Sequence, residues 1–446
     1  MAFLFAIELW AFVVQSVETG VVLDTNPDQL LRINFNVTML DLPCEYAAVD
    51  VVDVIGTNQM NVTKNVQKWS TDASGARLAY RGRNREQKEL KHQEHAETIE
   101  DMHADGVHAV ELSDKSIKDF VGKDFAFVNF YAPWCVWCQR LAPTWERLAE
   151  EVGKFEAETD KHVALNVSVG KVDCPGNPDV CNAHQIRAFP SMRLFKKGEP
   201  LGDYRDDRTV EALLKWLKTK VNFDEQMKGW AVDHGAPGAP GAALDLDDHP
   251  GCMLSGFVLV NRVPGNFHVE ARSAHHEINA ALANVSHVVN HLSFGPPVPS
   301  NLRRKLGKRY PDFFPGAQAL DGGAFIDGGA HEAVHHYIKV VSTHFDVGTF
   351  LSGLTSKLSR GAPPPERTVV GYQMVTQSQT MHYHELDVPE AKFSYDLSPM
   401  AVAVSSTGKH WYDFVTSCCA IIGGTFTTVG LLDGILHKVL KAGKQL

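Results

Sequence analysis

The sequence predicts a multi-domain protein in which an α/β unit is inserted into a mainly β domain, with an apolar segment towards each end of the chain. Three observations lead to this prediction. A continuous apolar run at residues 125–130 leads into a Cys-x-x-Cys pair and then into an amphipathic helical pattern. Alternating apolar and polar residues, typical of half-buried strands, lie before and after this unit. An uncharged segment, Phe414–Leu432, is long enough for a transmembrane helix, which takes roughly 20 residues, with a buried helix of a soluble domain as the alternative.

The first element is the apolar segment Met1–Val14, in which Glu8 is the only charged residue. It is shorter than the roughly 20 residues of a membrane-spanning helix. It is therefore either a cleaved signal peptide, although no basic residue precedes it, or part of a transmembrane helix or signal anchor over residues 1–16.

The first part of the β domain is predicted at residues 20–70. Strict alternation from Leu30 onward gives one buried face, and the sequon asparagine Asn36 falls on the opposite, solvated face. A second strand is expected at Tyr46–Ile55. Two strands cannot close a hydrophobic core, so this part requires strands from elsewhere in the chain.

Residues 71–106 form a charged segment that is poor in aliphatic residues. We interpret it as a solvated helix or a mobile linker. Its histidines, His92, His95 and His103, are of a type that binds metals. Solvated side chains are the simpler interpretation, and we expect no metal here.

The inserted unit carries the chemistry. Its apolar run fits a strand that is buried on both faces, and a helix begins beyond Pro133. Cys135 and Cys138 lie on one side of the first helical turn, close enough to bridge. The positive end of the helix dipole favours a thiolate there, and the thiolate is the attacking species in disulfide exchange. A single structural bridge or half of a zinc site is the alternative, but the strand, the Trp134-Cys135 step and the helix together favour redox chemistry.

The sequence FVNFYAPWCVWCQRLAPTW, residues 127–145, resembles the active site of the thioredoxin and protein disulfide isomerase family, and the resemblance covers residues 107–222. It implies a thioredoxin fold, a cis peptide bond before Pro190, and disulfide exchange without a cofactor. It also assigns the site residues: Cys135 and Cys138 as the exchanging pair, Trp134, Trp137 and Pro190 as an apolar rim for a client peptide, and Lys171 and Arg187 as residues that tune charge and proton transfer.

Two residues depart from the pattern of that family. Trp137 stands where typical isomerases have a histidine that stabilises the thiolate, and Asn129 replaces a buried acid that accepts a proton from the resolving cysteine. We expect both changes to raise the pKa values of the thiols and to slow exchange. The resulting prediction is a weaker oxidant than a standard isomerase, with a potential nearer about −270 mV than about −180 mV.

A Gly-, Pro- and Ala-rich linker at residues 223–250 follows the inserted unit, which is therefore predicted to be held on two tethers. The second part of the β domain is predicted at residues 251–410. Its basic run at residues 303–309 is interpreted as a solvated loop. Its expected strands are Gly256–Val263, Val288–Phe294, Tyr337–Phe345, Thr368–Gln377 and Ala391–Ser405.

One motif matches the zinc-protease pattern H-E-x-x-H, with His331 and His335 as its histidines. That chemistry requires both histidines on one helical face. The surrounding residues alternate and are β-branched, which predicts a strand on which the two side chains would lie about 13 Å apart. We expect no zinc site here and no bound metal elsewhere.

Four further cysteines suggest structural roles. Cys174 and Cys181 flank a short loop that a disulfide would bridge, with a second redox pair as the alternative. Cys44 and Cys252 lie at the edges of separate β halves, and a bond between them would join the halves across the insertion. Glycosylation sequons, which would be used in a secretory lumen, begin at Asn36, Asn61, Asn166 and Asn284.

The segments outside the inserted unit, among them LRINFNVTMLDLPCEYAAVDVVDVIG and CAIIGGTFTTVGLLDGILH, resemble the ERGIC family of vesicle proteins that cycle between endoplasmic reticulum (ER) and Golgi. The resemblance implies two membrane spans, a lumenal β domain and cytosolic chain ends, and so favours a membrane segment at residues 1–16. The lysines of the tail, residues 433–446, agree with a cytosolic location. Other ERGIC-family subunits and the COPII coat are the implied partners.

These patterns predict a membrane-anchored thiol–disulfide oxidoreductase of the ER and the ER–Golgi intermediate membrane that acts on unfolded or cargo proteins. The alternative is a cargo receptor whose thioredoxin-like unit binds clients with little or no catalysis. A net charge of −10 argues against a nucleic-acid partner.

Overall fold

The computed structural model describes most of the chain. The described residues are 2–13, 16–54, 56, 62–72, 74–84, 86, 89–95, 99–104, 109–158, 167–221, 251–311, 318–346, 368–407 and 411–442. The predicted linker at residues 223–250 lies outside them, and so do the sequon residues Asn61 and Asn166.

Strands outnumber helices in the described chain. The strands are β1 (Ser16–Leu23), β2 (Leu30–Met39), β3 (Ala47–Asp53), β4 (Gln67–Thr71), β5 (Arg77–Arg83), β6 (Val110–Leu112), β7 (Phe125–Tyr131), β8 (Val167–Asp173), β9 (Ala188–Phe189), β10 (Ser191–Lys196), β11 (Glu199–Tyr204), β12 (Cys252–Asn261), β13 (Gly265–Ala271), β14 (Glu277–Ile278), β15 (His287–Phe294), β16 (Gly323–Phe325), β17 (Glu332–Asp346), β18 (Thr368–His382), β19 (Glu390–Leu397) and β20 (Met400–Thr407). The α-helices are α1 (Ala2–Val13), α2 (Ile99–Ala104), α3 (Ile117–Val121), α4 (Val136–Glu158), α5 (Pro178–Ala183), α6 (210–221), α7 (Ser300–Arg309) and α8 (Trp411–Ala442).

The β domain consists of two sheets around one core. The seven-stranded sheet has the order β1-β20-β17-β19-β13-β3, with β18 also paired to β17, and the six-stranded sheet has the order β16-β15-β2-β12-β4-β5. Rings from both sheets stack in the centre, where Phe35 and Phe393 lie 5.2 and 4.7 Å from Phe267. Strands from the two sides of the insertion are neighbours in both sheets, so neither half forms this core alone.

The alternation predicted from Leu30 onward is confirmed in β2. The apolar residues of its inner face are all at most 2% exposed: Leu31, Ile33, Phe35 and Val37. β2 lies between β12 and β15, which come from the second half of the chain. The strand predicted at residues 391–405 is instead two strands, β19 and β20, because Pro399 in the turn between them has no N–H to continue the pairing.

The charged segment at residues 71–106 is not a solvated helix or a free linker. It includes β5, which pairs with β4 and extends the six-stranded sheet, and Trp69 packs edge-on against Tyr80 at 5.1 Å. Charged side chains are common on such edge strands because they block further pairing. The following stretch, residues 89–95, lies against the inserted unit.

The basic run at residues 303–309 is a helix rather than a loop. It belongs to α7, whose buried Leu306 packs with Tyr310 and Phe345. Leu302 of the same helix also packs on this cluster, while most of the charged residues of the run face solvent.

The inserted unit has a five-stranded mixed sheet with the order β11-β10-β7-β8-β6. Its central strand β7 is buried on both faces, since Val128 belongs to one core cluster and Phe127 to another. The long helix α4 is fixed to the sheet by Trp145, whose indole N–H donates to the Gly170 carbonyl at 3.1 Å.

Apolar helices lie near both ends of the described chain. α8 is the one described helix that is long and apolar enough to cross a membrane, and α1 is apolar but short. The ring of Phe414 in α8 stacks on that of Phe12 in α1 at 4.7 Å. β1 pairs with β20 along its whole length, so the two helices adjoin neighbouring strands. α8 also continues through the predicted tail as far as Ala442.

Candidate redox site

Cys135 and Cys138 lie where β7 is followed by α4. The chain turns after Tyr131 and α4 begins at Val136, so both cysteines are at the helix N-terminus. The Cys138 backbone N–H donates to the Cys135 Sγ at 3.2 Å, and the Cys135 thiol donates to the Phe189 carbonyl at 3.6 Å. Both sulfurs are free thiols, which is the reduced form of the pair.

The two thiols differ in acidity. Hydrogen bonds from the Cys138 thiol and from the backbone N–H groups of Cys138 and Trp137 hold the pKa of Cys135 below its ordinary value, although burial opposes them. Burial and the hydrogen bond to Cys135 raise the pKa of Cys138. At Cys135 the hydrogen bonds at the helix N-terminus therefore outweigh burial. The rise expected relative to a standard isomerase, from Trp137 and Asn129, stays a prediction.

The buried acid of this unit is on α4 rather than on β7. Asn129 in β7 is buried, and its side-chain Oδ1 has no partner among the described residues. Glu146 in α4 is 2% exposed and accepts hydrogen bonds from Lys171 at 3.0 Å and from the Ala109 backbone N–H at 2.6 Å. Sequence reasoning missed Glu146, although a charged residue next to Trp145 on an amphipathic helix was a signal.

The predicted apolar rim is only partly open. Trp134 is 52% exposed. Pro190 is buried, and its peptide bond to the preceding residue is cis, as the family resemblance implies. Trp137 is covered by two histidines from outside the five-stranded unit. His92 stacks on the Trp137 ring and His275 meets its edge, each with ring centroids 5.4 Å away.

Two arginines near the site have different partners. Arg208, which sequence reasoning missed, is buried and donates from Nη2 to the His275 carbonyl at 2.7 Å. Burial lowers the pKa of Arg208 to about 10. Burial also raises the pKa of Cys138, and the charge of Arg208 partly offsets that rise. Arg187 donates to Asp41 of the β domain at 2.8 Å, and its role in tuning the pair stays a prediction.

The β domain covers the backbone beside the cysteine pair. β14 pairs antiparallel with β9, the two residues that precede the cis proline. The Asn279 backbone N–H donates to the Arg187 carbonyl at 2.8 Å. In this arrangement Cys135 is 1% exposed and Cys138 3% exposed. The inserted unit is thus packed against the β domain, which the prediction of two tethers did not anticipate.

Three family models match successive parts of the chain. Residues 1–60 match the Endoplasmic Reticulum-Golgi Intermediate Compartment (ERGIC) model, residues 108–219 the Thioredoxin model, and residues 241–433 the Endoplasmic reticulum vesicle transporter model. Protein disulfide-isomerase 5-4 of Arabidopsis thaliana is 34% identical over an aligned length of 478 residues, gaps included. The alignment covers 100% of this chain and 91% of the relative. Protein disulfide isomerase-like 5-4 of Oryza sativa subsp. japonica is 33% identical with the same coverage. The chain belongs to the protein disulfide isomerase-like 5 family.

Membership in the protein disulfide isomerase-like 5 family confirms the predicted fold class, a thioredoxin domain within a mainly β domain of the ERGIC type. The crystal structure of Erv41p covers 87% of this chain and 100% of its own chain, at 14% identity and a TM-score of 0.35. The ERGIC relationship associates the protein with membranes of the ER–Golgi intermediate compartment, and α8 suits a membrane anchor.

This family member contains two disulfides outside the candidate site. Cys44 is bonded to Cys252, and Cys174 to Cys181, with Cα–Cα distances of 4.9 and 5.7 Å in the ordinary range for disulfides. Since Cys252 begins β12, the first bond joins the two halves of the β domain across the insertion. The second bond closes a short loop directly after β8.

The H-E-x-x-H motif lies at the start of a strand, as predicted, and not on a helix. His331 precedes β17, and the Nε2 of His335 within β17 is 2.8 Å from the Tyr383 hydroxyl. Elsewhere in the described chain, three residues have spacing suited to a cation: Asp50, His268 and Glu270. Arg272 already binds the Asp50 carboxylate at 2.9 Å, which weakens the case for a metal there.

Two histidines of the charged segment, His92 and His95, have protein contacts, so the solvated interpretation is wrong for them. It holds for His103, whose side chain is 41% exposed. His92 packs on Trp137. The Nε2 of His95 lies 2.9 Å from the Thr144 hydroxyl, and the Nε2 of His103 lies 3.7 Å from the Glu146 carboxylate. His92 and His95 therefore help to dock the segment on the thioredoxin domain.

Two of the four sequon asparagines are described. Asn36 is half-buried and its Oδ1 accepts a hydrogen bond from Asn290 at 3.3 Å. Asn284 is also half-buried, and its Oδ1 accepts from the Ser286 backbone N–H at 2.8 Å. An N-linked glycan is attached to Nδ2, so it would leave the accepting Oδ1 atom of either asparagine in place.

Proposed function

We propose that this protein is a membrane-anchored thiol–disulfide oxidoreductase of the early secretory pathway that uses Cys135 and Cys138 on client proteins. The observation that carries the proposal is the position of both cysteines at the start of α4, beside the cis proline, where the Cys138 backbone N–H donates to the Cys135 sulfur at 3.2 Å. The lower pKa of Cys135 agrees with this geometry. Membership of the family supports disulfide chemistry in general. Cys135 is the nucleophile, because the thiolate is the species that attacks a disulfide and Cys135 has the lower pKa.

In the reducing direction, the Cys135 thiolate attacks one sulfur of a client disulfide. An S–S bond forms to that sulfur, the client S–S bond breaks, and the second client sulfur leaves as a thiolate that takes up a proton. Cys138 then loses its proton and attacks the Cys135 sulfur, which releases the first client sulfur as a thiol. Two client sulfurs are reduced while the Cys135–Cys138 pair is oxidised, and the reverse sequence oxidises a client dithiol.

Cys138 must be deprotonated in the second step. Asn129 cannot accept that proton, since an amide has no basic group. Lys171, expected to tune the pair, is held by Glu146 at 3.0 Å. The positive charge of Arg208 favours the Cys138 thiolate, so we assign the electrostatic tuning of the resolving cysteine to Arg208.

A lumenal location for the thioredoxin and β domains is part of the proposal. Structural disulfides are typical of oxidising compartments, and two are present. The contact between α1 and α8 supports a membrane segment at residues 1–16 beside the C-terminal one. In this arrangement the tail is cytosolic, unfolded or cargo proteins are the clients, and other ERGIC-family subunits and the COPII coat are partners.

Refolding of a scrambled, disulfide-rich protein by the full chain in detergent tests the proposal. The wild-type protein should restore native disulfides, Cys135→Ser should abolish this activity, and Cys138→Ala should accumulate client in a mixed disulfide. A Cys135→Ser variant as active as the wild type would rule out the proposed chemistry.

The burial of both cysteines favours a second candidate function, a cargo receptor whose thioredoxin domain binds clients with little or no turnover. In that case client binding would be equal in the wild type and in Cys135→Ser, and neither protein would accelerate refolding. Pull-down of a reduced, alkylated client by both proteins separates the two functions, because that client cannot form a mixed disulfide.

A further inference from the structure

We propose that the β domain closes its own redox site. Residues 273–279, the covering segment, occupy the backbone edge beside Pro190 on which a client peptide would lie. A client must displace this segment before Cys135 reacts. The inference rests on the proposed function, since it concerns access of clients to the same cysteine pair.

The edge that the covering segment occupies is next to the attacking sulfur. The Phe189 carbonyl accepts the hydrogen bond of the Cys135 thiol, and Phe189 is also paired with Glu277 of the covering segment. An extended client peptide binds most readily by adding a strand to a free sheet edge. Here β14 already pairs with that edge. Asn279 adds a side-chain contact, since its Nδ2 donates to the Ile186 carbonyl at 3.0 Å.

Side chains close the space around the sulfurs. His275 of the covering segment meets the edge of the Trp137 ring, and its carbonyl accepts the hydrogen bond from Arg208. His92 stacks on the same tryptophan. Disulfide exchange requires a client sulfur in direct contact with the Cys135 sulfur, and a residue that is 1% exposed offers no room for one.

The contact between the covering segment and the thioredoxin domain is small, and several of its buried polar atoms lack hydrogen-bond partners. Both features favour separation of the two surfaces. β14 and β9 share two residue pairs, whereas β12 and β2 share a register of full strand length. Several buried nitrogen atoms at the contact have no hydrogen-bond partner among the described residues: Nε and Nη1 of Arg208, both ring nitrogens of His92, and Nδ1 of His275. Buried polar atoms without partners cost free energy that is recovered when water reaches them.

The substitution Asn279→Pro tests closure without any client. It removes the N–H that binds the Arg187 carbonyl and the amide that binds the Ile186 carbonyl, and the φ of −80° at Asn279 is one that proline adopts. The matched control is Ser300→Pro, which places proline at the first residue of α7, where helices tolerate it.

The readout is the rate at which iodoacetamide modifies Cys135 in the reduced full chain in detergent, followed by peptide mass mapping. Asn279→Pro should react about tenfold faster than the wild type and than Ser300→Pro, which corresponds to about 1.4 kcal/mol of lost closed-state stability. Equal rates in all three proteins, or a wild-type rate equal to that of the urea-unfolded chain, would overturn the proposal.

A second measurement leaves the covering segment unchanged and so does not depend on the folding of Asn279→Pro. A cysteine-containing peptide is trapped on Cys138→Ala as a mixed disulfide, and hydrogen exchange at the Asn279 amide is compared with that of the free variant. Faster exchange in the trapped complex supports displacement, whereas unchanged protection would overturn it. If Asn279→Pro accelerates alkylation but no variant exchanges disulfides with clients, closure stands and the proposed function fails.

Discussion

At the residue scale, the acidity of Cys135 depends on hydrogen bonds rather than on a basic neighbour between the cysteines. The sequence predicts the cysteine pair and its position at a helix start, because the strand and the helix have clear periodicity. The helix start also predicts a favoured thiolate, but the sequence does not reveal the hydrogen bonds to Cys135, since these depend on how closely the Cys138 thiol and the backbone N–H groups approach the sulfur. Arg208 was missed for the same reason, because its burial is created by residues 89–95 and the covering segment.

The Glu277 carboxylate provides a test of this electrostatic picture. Hydrogen bonding from Cys138 dominates the lowered pKa of Cys135, and the negative charge of Glu277 acts against it. Glu277→Gln should therefore shift the midpoint of Cys135 alkylation to lower pH, below the ordinary cysteine value of about 8.5. The pH–rate profile of Glu211→Gln, an exposed acid on α6, is the control and should match the wild type.

The ion pair between Glu146 and Lys171 is predicted to stabilise the thioredoxin domain. Glu146→Gln leaves the mostly buried ammonium group of Lys171 without its nearest counterion, and we expect the free energy of unfolding to fall by on the order of 2 kcal/mol. Glu111→Gln removes a partner that is 3.4 Å away but mainly exposed, and should cost much less. Urea unfolding followed by tryptophan fluorescence compares the two, and equal losses would contradict the assignment of Glu146 as the buried partner.

The redox potential also remains a residue-scale prediction. Trp137 and Asn129 favour a potential nearer about −270 mV than about −180 mV, whereas a low pKa of Cys135 stabilises the reduced pair and acts in the opposite direction. Equilibration with glutathione buffers measures the redox potential and so shows which of the two effects is larger. A potential at or above about −180 mV would show that the low pKa dominates.

At the element scale, the strands predicted from apolar patterns are present, one of them divided into two, whereas the charged strand β5 and the short strand β14 were not predicted. β2 was correctly predicted because its inner face is uniformly apolar. β5 was missed because an edge strand exposes most of its side chains. The two-residue strand β14 has no sequence pattern at all, since its pairing depends on a fold that brings it to β9. The contact that covers the candidate site was therefore outside the reach of sequence periodicity.

The two disulfides are predicted to differ in their effect on stability. Cys44 and Cys252 are separated by 208 residues, and Cys174 and Cys181 by 7. In the loop-entropy model, replacing the first pair by alanine costs about 5 kcal/mol and replacing the second about 2 kcal/mol. Urea unfolding of the two double variants measures the difference. A larger loss for the Cys174/Cys181 variant would show that local packing, and not loop closure, sets the effect.

At the scale of the whole molecule, the proposed membrane arrangement can be tested by glycosylation. If the β domain is lumenal, microsomal protein should carry glycans that an endoglycosidase removes, and Asn36→Gln or Asn284→Gln should each reduce its apparent mass. Protease added outside sealed microsomes should cleave a tag placed after residue 446 but leave the thioredoxin domain intact. Digestion of the thioredoxin domain would exclude the lumenal arrangement.

The interleaving of the two sheets has a consequence for synthesis on the ribosome. β2 and β3 cannot form their sheet pairings until β12, β13 and β15 have been synthesised. These three strands are translated only after the whole thioredoxin domain. Chains emerge from the N-terminus at about 5–20 residues per second, and domains fold as units as they appear. The nascent thioredoxin domain is thus finished while residues 273–279 are still untranslated. If the covering segment closes the site as proposed, each newly made molecule has an accessible cysteine pair for a period of seconds, until residues 273–279 are synthesised.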